Sequence, residues 1–361
     1  MAVETSAPTE PALSFPRDIF AALSPTGFLQ AHLTPESDAT PTRPNGRPCA
    51  TGRPPLVNTN TLTHSAGSGV VRLGDTAVVC GLRAEILRLD DVPNPPSGMG
   101  DAGPGDDVEG EEEHEDDRAE IEGLGLLVPN IELATGASPA HVPGQPPTAG
   151  AQALTARLLA QLHATRVVRA RDLRITYTPP PRADMDDYDD DDLPQRQVKA
   201  YWTLYLDVLV LSLDGNAFDA AWGAVLAALR NAYMPAARWD PDTAGVVCAD
   251  AVAEARHLRL RGLPVAASFA VFAGDGRAGK EARQGGEDRA WLLADPDAFE
   301  ERHCREVVCV VLDCSGGKTA LLRVEKHGGG VVDRAALRSV VRLAEGRWRE
   351  WSVALEWDAP R

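Results

Sequence analysis

Eleven consecutive residues, Tyr201-Trp-Thr-Leu-Tyr-Leu-Asp-Val-Leu-Val-Leu211, are apolar on both alternating faces apart from Thr203 and Asp207. A strand with one face in water alternates polar with apolar, so this run predicts a strand buried between layers, at the centre of a sheet. Asp214-Gly215-Asn216 then makes a turn, and Ala217 to Tyr233 reads as a helix with Phe218, Trp222, Val225, Leu226 and Leu229 in a stripe, ended by Pro235. Neighbours for the strand lie upstream. Leu56 to Thr63, Gly69 to Leu73 and Thr76 to Ile86 read as strands of a meander, with Gly74-Asp75 as the turn between the last two.

The same logic extends along the chain. Phe15 to Leu33 predicts a helical lead-in interrupted near Pro25; Gly123 to Leu133 a strand; Ala149 to Leu162 a helix; and Leu173 to Thr178 a short strand. Beyond the central helix, strands are expected at 246–249, 257–261, 265–272, 291–293, 307–313 and 319–324, with a closing helix from about Asp333 to Trp351. Strands in blocks, each block followed by a helix, describe an α+β fold of two pseudo-repeated βα units, with sheet and helix layers. The division expected is an extension and lead-in helix over 1–40, a first unit over 41–240 and a second over 241–361.

Charge qualifies that picture without changing it. The net charge is −17, but residues 101–120 hold eleven Asp/Glu against one Arg and residues 184–192 hold seven Asp, which leaves the remainder balanced at 35 against 35. Acidity therefore excludes no partner, nucleic acid included. Segments of this composition bury too little to offset ordering, so disordered insertions are expected at about 90–120 and 180–197. The longest purely apolar stretch, Ala220 to Leu229, is far short of a membrane span, and the N-terminus lacks the basic and apolar regions of a secretory signal. An intracellular protein with reduced thiols is expected. Six cysteines form no CxxC pair, and Cys309 and Cys314, five apart in a strand, point to opposite faces, so neither a metal nor any other cofactor is expected.

Several segments in order resemble the RNase PH family, in particular the ring subunits of the eukaryotic RNA exosome. Arg43-Pro-Asn-Gly-Arg47 resembles its RPDGR motif, and Gly67 to Glu85 its first hairpin. Val128-Pro-Asn-Ile-Glu-Leu133 follows, then Leu206 to Ala220 resembles the DxxxLxxDGNxxDA strand and helix of the non-catalytic subclass. Pro264 to Phe272 and Leu293 to Glu301 resemble the next two blocks and look most like one particular ring subunit. The fold implied is RNase PH-like, of the ribosomal protein S5 domain 2 type.

The family's chemistry is phosphorolysis of RNA from its 3′ end, which needs cationic and N–H groups around the attacking and scissile phosphates. Active relatives supply them from a Gly-Gly-Ser/Thr-Arg stretch after the central strand. Here Asn216, Ala217, Phe218 and Asp219 stand there, without the arginine. The arginine-rich loop that holds RNA in active relatives corresponds to Ser138 to Pro147, whose one candidate is His141; Arg83, on the first hairpin, is the other RNA-channel candidate. Asp295, with Glu300 and Glu301, falls where active members keep their catalytic carboxylates, but Asp295-Pro296 also reads as a helix N-cap followed by Pro at N1. The resemblance thus implies no catalytic residue and a structural role in 3′-to-5′ RNA processing and degradation, ribosomal RNA maturation included. It implies other RNase PH-like subunits as partners (ribosomal RNA-processing protein 46 in a heterodimer), S1/KH cap subunits, a hydrolytic exoribonuclease and single-stranded RNA in the channel. It implies a nuclear, nucleolar and cytoplasmic location, with no membrane partner. The alternatives are a phosphate-dependent exoribonuclease using Asp295 and a free-standing RNA-binding protein.

Outside the resemblance, Arg166, Arg169, Arg171 and Arg174 form the densest basic cluster, suited either to phosphates or to a helix end and strand edge. The tryptophans 348 and 351 fit the buried stripe of the last helix.

Overall fold

The run at 201–211 becomes the middle of a six-stranded sheet. The computed structural model describes residues 15–35, 40–93, 115–180, 196–273, 290–329 and 332–357. Strand β6 (Gln197–Ser212) pairs antiparallel with β3 (Thr76–Arg88) and parallel with β4 (Leu127–Leu133). Beyond β3 lie β2 (Gly67–Leu73) and β1 (Pro55–Thr59), giving the order β1-β2-β3-β6-β4, while β5 (Arg174–Tyr177) pairs with the start of β6. Only the first part of β6 is buried on both faces. From Tyr205 onward the outer positions open, with Asp207 and Leu211 exposed and Leu209 half-buried. The reason is that helix α6 (Ala217–Arg230) packs on the other face, against Val78, Cys80, Leu82, Leu206, Val208 and Val210.

Every residue of α6 from Phe218 to Leu229 is buried, so the expected stripe is instead a helix enclosed all round. It lies between the first sheet and strand β11 (Val265–Ala273) of a second, with strand order β12 (Ala290–Ala294), β11, β13 (Glu306–Asp313), β14 (Ala320–His327), all antiparallel. Helix α8 (Arg334–Ala354) covers β11 and β13. It is fitted to α6 at one point. A Cβ on Gly223 would stand 2.2 Å from the indole of Trp351, which is 2% exposed. A Cβ on Gly69 of β2 would likewise stand 2.5 Å from Ala227 on the opposite side of α6, so bare backbone at both positions sets the layer spacing.

The remaining elements are α1 (Arg17–Leu23) and α2 (Pro25–Leu33), α4 (Ala149–Thr165), α7 (Ala298–His303), the ribbon β7 (Tyr233–Met234) with β10 (Arg256–His257), and the ribbon β8 (Ala237–Asp240) with β9 (Gly245–Cys248). Three expectations fail locally. Residues 115–124 form a helix, α3 (Glu115–Leu124), where a disordered loop and then a strand were expected. Glu120, only 4% exposed, anchors it: Arg174 lies 2.6 Å away and the Tyr201 hydroxyl donates to it, so an acidic residue at the end of a charge run is a folded one. Residues 94–114 and 181–195, which carry most of the acidic insertions, lie outside the described residues. A four-residue helix, α5 (Ala170–Leu173), precedes β5, and the strand expected at 257–261 shortens to the two residues of β10. Cys309 joins the core around α6 while Cys314 packs on the cluster beneath α8, as their spacing predicts.

Candidate functional site

The turn from β6 into α6 holds Asn216, Ala217, Phe218 and Asp219, and the chain returns to it from far away. Gly215 adopts φ +74°, and a Cβ there would sit 2.4 Å from the Asp297 carbonyl carbon and 2.6 Å from the Ala298 nitrogen. Only glycine allows the stretch between β12 and α7 to close on the start of α6 this tightly. Asn216, itself left-handed at φ 53°, donates its backbone N–H to Glu301 Oε1 at 2.7 Å. Its side-chain amide donates to Asp295 Oδ1 at 2.7 Å and Asp219 Oδ2 at 2.9 Å. Asp219 is buried, accepting also from the Ser268 N–H at 2.9 Å and the Ser268 hydroxyl at 2.7 Å. Ala217 is half-buried, and the buried Phe218 ring lies 3.9 Å from the guanidinium of Arg157.

Asp295 is not the N-cap that its Asp-Pro context predicts. That position belongs to Asp297, which accepts from the Glu300 N–H at 2.9 Å while Glu300 accepts from the Asp297 N–H at 3.0 Å, a reciprocal capping box. Asp295, at φ 52° and 3% exposed, turns inward instead. Arg53 clamps it through Nε to Oδ2 and Nη2 to Oδ1, both at 2.8 Å, and the Arg53 N–H donates to Oδ2 at 2.7 Å. The remaining Arg53 nitrogen donates to the Asp214 carbonyl at 2.7 Å. Arg43, 1% exposed, donates to the Cys49 carbonyl at 2.7 Å, to the Ala294 carbonyl and to Glu300 at 3.2 Å. Arg47 reaches the Asp295 carbonyl at 3.2 Å, and Arg347 donates to the Arg53 carbonyl at 2.5 Å. Behind the knot, a cavity of about 150 Å³ lies between Asp219, Ser268, Asp295, Arg342 and Arg347.

The charges divide by partner. Burial pushes the Asp295 carboxyl up, but the Arg53 hydrogen bonds and charge, helped by Arg347 and Asn216, hold it down at about 2. Asp219 has no cation bonded to it among the described residues, and burial pushes its carboxyl up despite the Asn216 and Ser268 hydrogen bonds. Burial also raises Glu300 and Glu301 and lowers Arg43. Chemically, the first N–H of the α6 turn and the clamped guanidinium are filled by carboxylates of the chain itself. An incoming oxyanion meets occupied donors and a ring of acids.

Arg83 and His141 stand apart from this centre. Arg83 projects from β3 opposite Tyr205, 5.1 Å over its ring and 3.5 Å from Glu85; His141 sits half-buried in the loop after β4. Neither bonds to residues 214–219 or 295–301 among the described residues. The site also depends on Arg53 and Arg347, which sequence reasoning passed over, while Glu301, named there beside Asp295, binds the Asn216 N–H. Arg43 and Arg47 carried a signal, since both lie in the Arg-Pro-Asn-Gly-Arg motif.

Known proteins share this arrangement of elements. The chain is 27% identical over 337 residues to the exosome complex component rrp43 of Schizosaccharomyces pombe, covering 93% of this chain and 97% of that protein. It is 24% identical to the exosome complex component Rrp42 of Aeropyrum pernix, covering 87% and 88%. Among solved structures it superimposes on a chain of the Archaeoglobus fulgidus exosome with RNA bound to the active site, at a TM-score of 0.58, 20% identity and 92% coverage of this chain. A chain of an archaeal exosome core gives the same TM-score at 18% identity and 94% coverage. Residues 51–235, from just before β1 to β7, match domain 1 of the 3′ exoribonuclease family, RNase PH, and the chain belongs to that family.

Proposed function

We propose that this chain is a catalytically silent ring subunit of an RNA exosome core, of the kind represented by the Schizosaccharomyces pombe rrp43 protein, and that it supports 3′-to-5′ RNA processing and decay as a structural member. One observation carries the silent assignment: the donors at the start of α6 are bonded to Glu301 and Asp295, and Arg53 is committed to Asp295 through Nε and Nη2 and to the Asp214 carbonyl through Nη1. Phosphorolysis needs those groups vacant for phosphate, and no lysine or arginine occurs between Asn216 and Leu229 to replace them. The near full-length likeness to an exosome component supports membership of such a ring, with related subunits as neighbours. Ribosomal RNA-processing protein 46 as the heterodimer partner, S1/KH caps, a hydrolytic nuclease, RNA in the channel and a nuclear, nucleolar and cytoplasmic location complete the reading.

The rival phosphorolase has its acid in the wrong state. Asp295, clamped by Arg53 and held ionised, does not donate a proton. The deciding assay is release of nucleoside diphosphates from a short RNA in phosphate buffer, by the full chain alone and with its ring partner. No product above background is expected. Turnover that disappears in Asp295→Ala overturns the silent assignment, whereas failure to co-purify with RNase PH-like subunits overturns ring membership.

A further inference from the structure

Two basic stretches far apart in sequence, Arg166-Val-Val-Arg-Ala-Arg171 and Arg256-His-Leu-Arg-Leu-Arg261, meet in the fold. The Arg261 N–H donates to the Val167 carbonyl at 3.0 Å, and the Leu258 N–H donates to the Ala232 carbonyl at 3.0 Å. Both stretches obey one rule. Val167, Val168, Ala170 and Leu258 are buried in the core, while Arg171, Arg256, His257 and Arg259 are exposed and Arg166, Arg169 and Arg261 half-buried. Arg169, Arg171, Arg256 and Arg259 have no carboxylate partner among the described residues, unlike the arginines of the buried knot. Aromatic surface adjoins the charge. Tyr233, 54% exposed, pairs with His257 in the β7–β10 ribbon, with ring centroids 4.9 Å apart, and Arg230 lies over Trp357 at 5.7 Å while its carbonyl bonds His257.

We propose that this surface binds single-stranded RNA, the arginines tracking successive phosphates and Tyr233 offering a face on which a base stacks. It lies apart from residues 214–219 and 295–301 and does not rest on the ring reading. An acidic protein segment is the competing occupant of any arginine patch, but it has no use for an exposed aromatic in the same ribbon, whereas a base does. The net charge of −17 does not forbid it, because outside residues 101–120 and 184–192 basic and acidic side chains balance at 35 against 35.

The test is fluorescence anisotropy of a labelled 20-nucleotide oligouridylate with the purified full chain, from 50 to 200 mM salt. The wild type is expected to bind with a steep salt dependence. Replacing Arg169, Arg171, Arg256 and Arg259 together by Ala should weaken binding by about tenfold or more at 50 mM and lower the log–log salt slope by up to about 3, since each lost phosphate contact removes ~0.7. The fourfold Lys variant should keep most of the slope. Tyr233→Ala should weaken binding by roughly fivefold or more at an unchanged slope. Ultraviolet cross-linking of the wild type should label peptides containing 166–171, 233 or 256–261, and it decides the matter if the Ala variant fails to fold. No binding by the wild type, an Ala variant indistinguishable from it, or cross-links confined elsewhere would overturn the proposal. So would polyglutamate binding as tightly as RNA with no effect of Tyr233→Ala, which assigns the patch to an acidic protein.

Discussion

The arginines that surround Asp295 and those on the 166–171 and 256–261 stretches share a chemistry and differ in everything else. Around Asp295 each guanidinium is buried or nearly so and answered by a carboxylate or a ring of carbonyls. On the outer stretches Val167, Val168, Ala170 and Leu258 are buried while Arg171, Arg256 and Arg259 are exposed to water. The difference separates two uses of positive charge. In the first it is consumed in holding two distant segments of the chain together; in the second it remains available to a ligand.

That contrast is most severely tested by Arg53→Ala, which strands the buried Asp295 carboxylate. Equilibrium denaturation should show a loss of about 3–5 kcal/mol, as expected when one member of a buried pair is removed. A loss under 1 kcal/mol would mean that the knot is solvated. Next comes acid. Because Asp295 is held at about 2 in the folded chain against 3.8 ordinarily, its pairing stabilises fully above pH about 4 and is lost as pH falls through about 2. The contribution amounts to about 2 kcal/mol, and a pH series of unfolding curves should show a shallower acid limb in Asp295→Asn. Asp297→Ala, which removes the α7 cap but no ion pair, should cost about 1 kcal/mol by the same measurement. Adding 10 mM inorganic phosphate should leave the melting temperature where it was, because the donors it needs are taken; a rise of several degrees would reopen the anion site. Smallest of all, Arg169→Ala and Arg256→Ala should each change stability by less than about 0.5 kcal/mol. Those two arginines matter, on this view, only to what they touch.

The legibility of the fold followed the range of the interactions that make it. The hairpin from Gly67 to Arg88 and the strand, turn and helix from Gln197 to Arg230 are written in local alternation and turn residues, and they stand where the sequence put them. Helix α3 was hidden because its anchor, Glu120, is indistinguishable by composition from the acids before it until Arg174 and Tyr201 are seen to close on it. Asp295 was misplaced by a correct rule applied two residues early: the reciprocal pair Asp297…Glu300 was readable as a capping box, and reading it would have freed Asp295 for another role. The Arg53 clamp was beyond any local rule, since its partner lies 242 residues away. That no lysine or arginine lies between Asn216 and Leu229 was legible; that Glu301 and Asp295 bond the start of α6 was not. Likewise the two basic stretches could be counted separately, but nothing in either announces that the Arg261 backbone lies against Val167.

The meeting of Trp351 with Gly223 has a bearing on how the chain is made. Helix α6, buried on every side, is complete on the ribosome more than a hundred residues before the indole that seals it is synthesised. During that interval the nascent first half carries a greasy helix with one flank bare. Exposed apolar surface of that kind is prone to aggregation until the indole covers it.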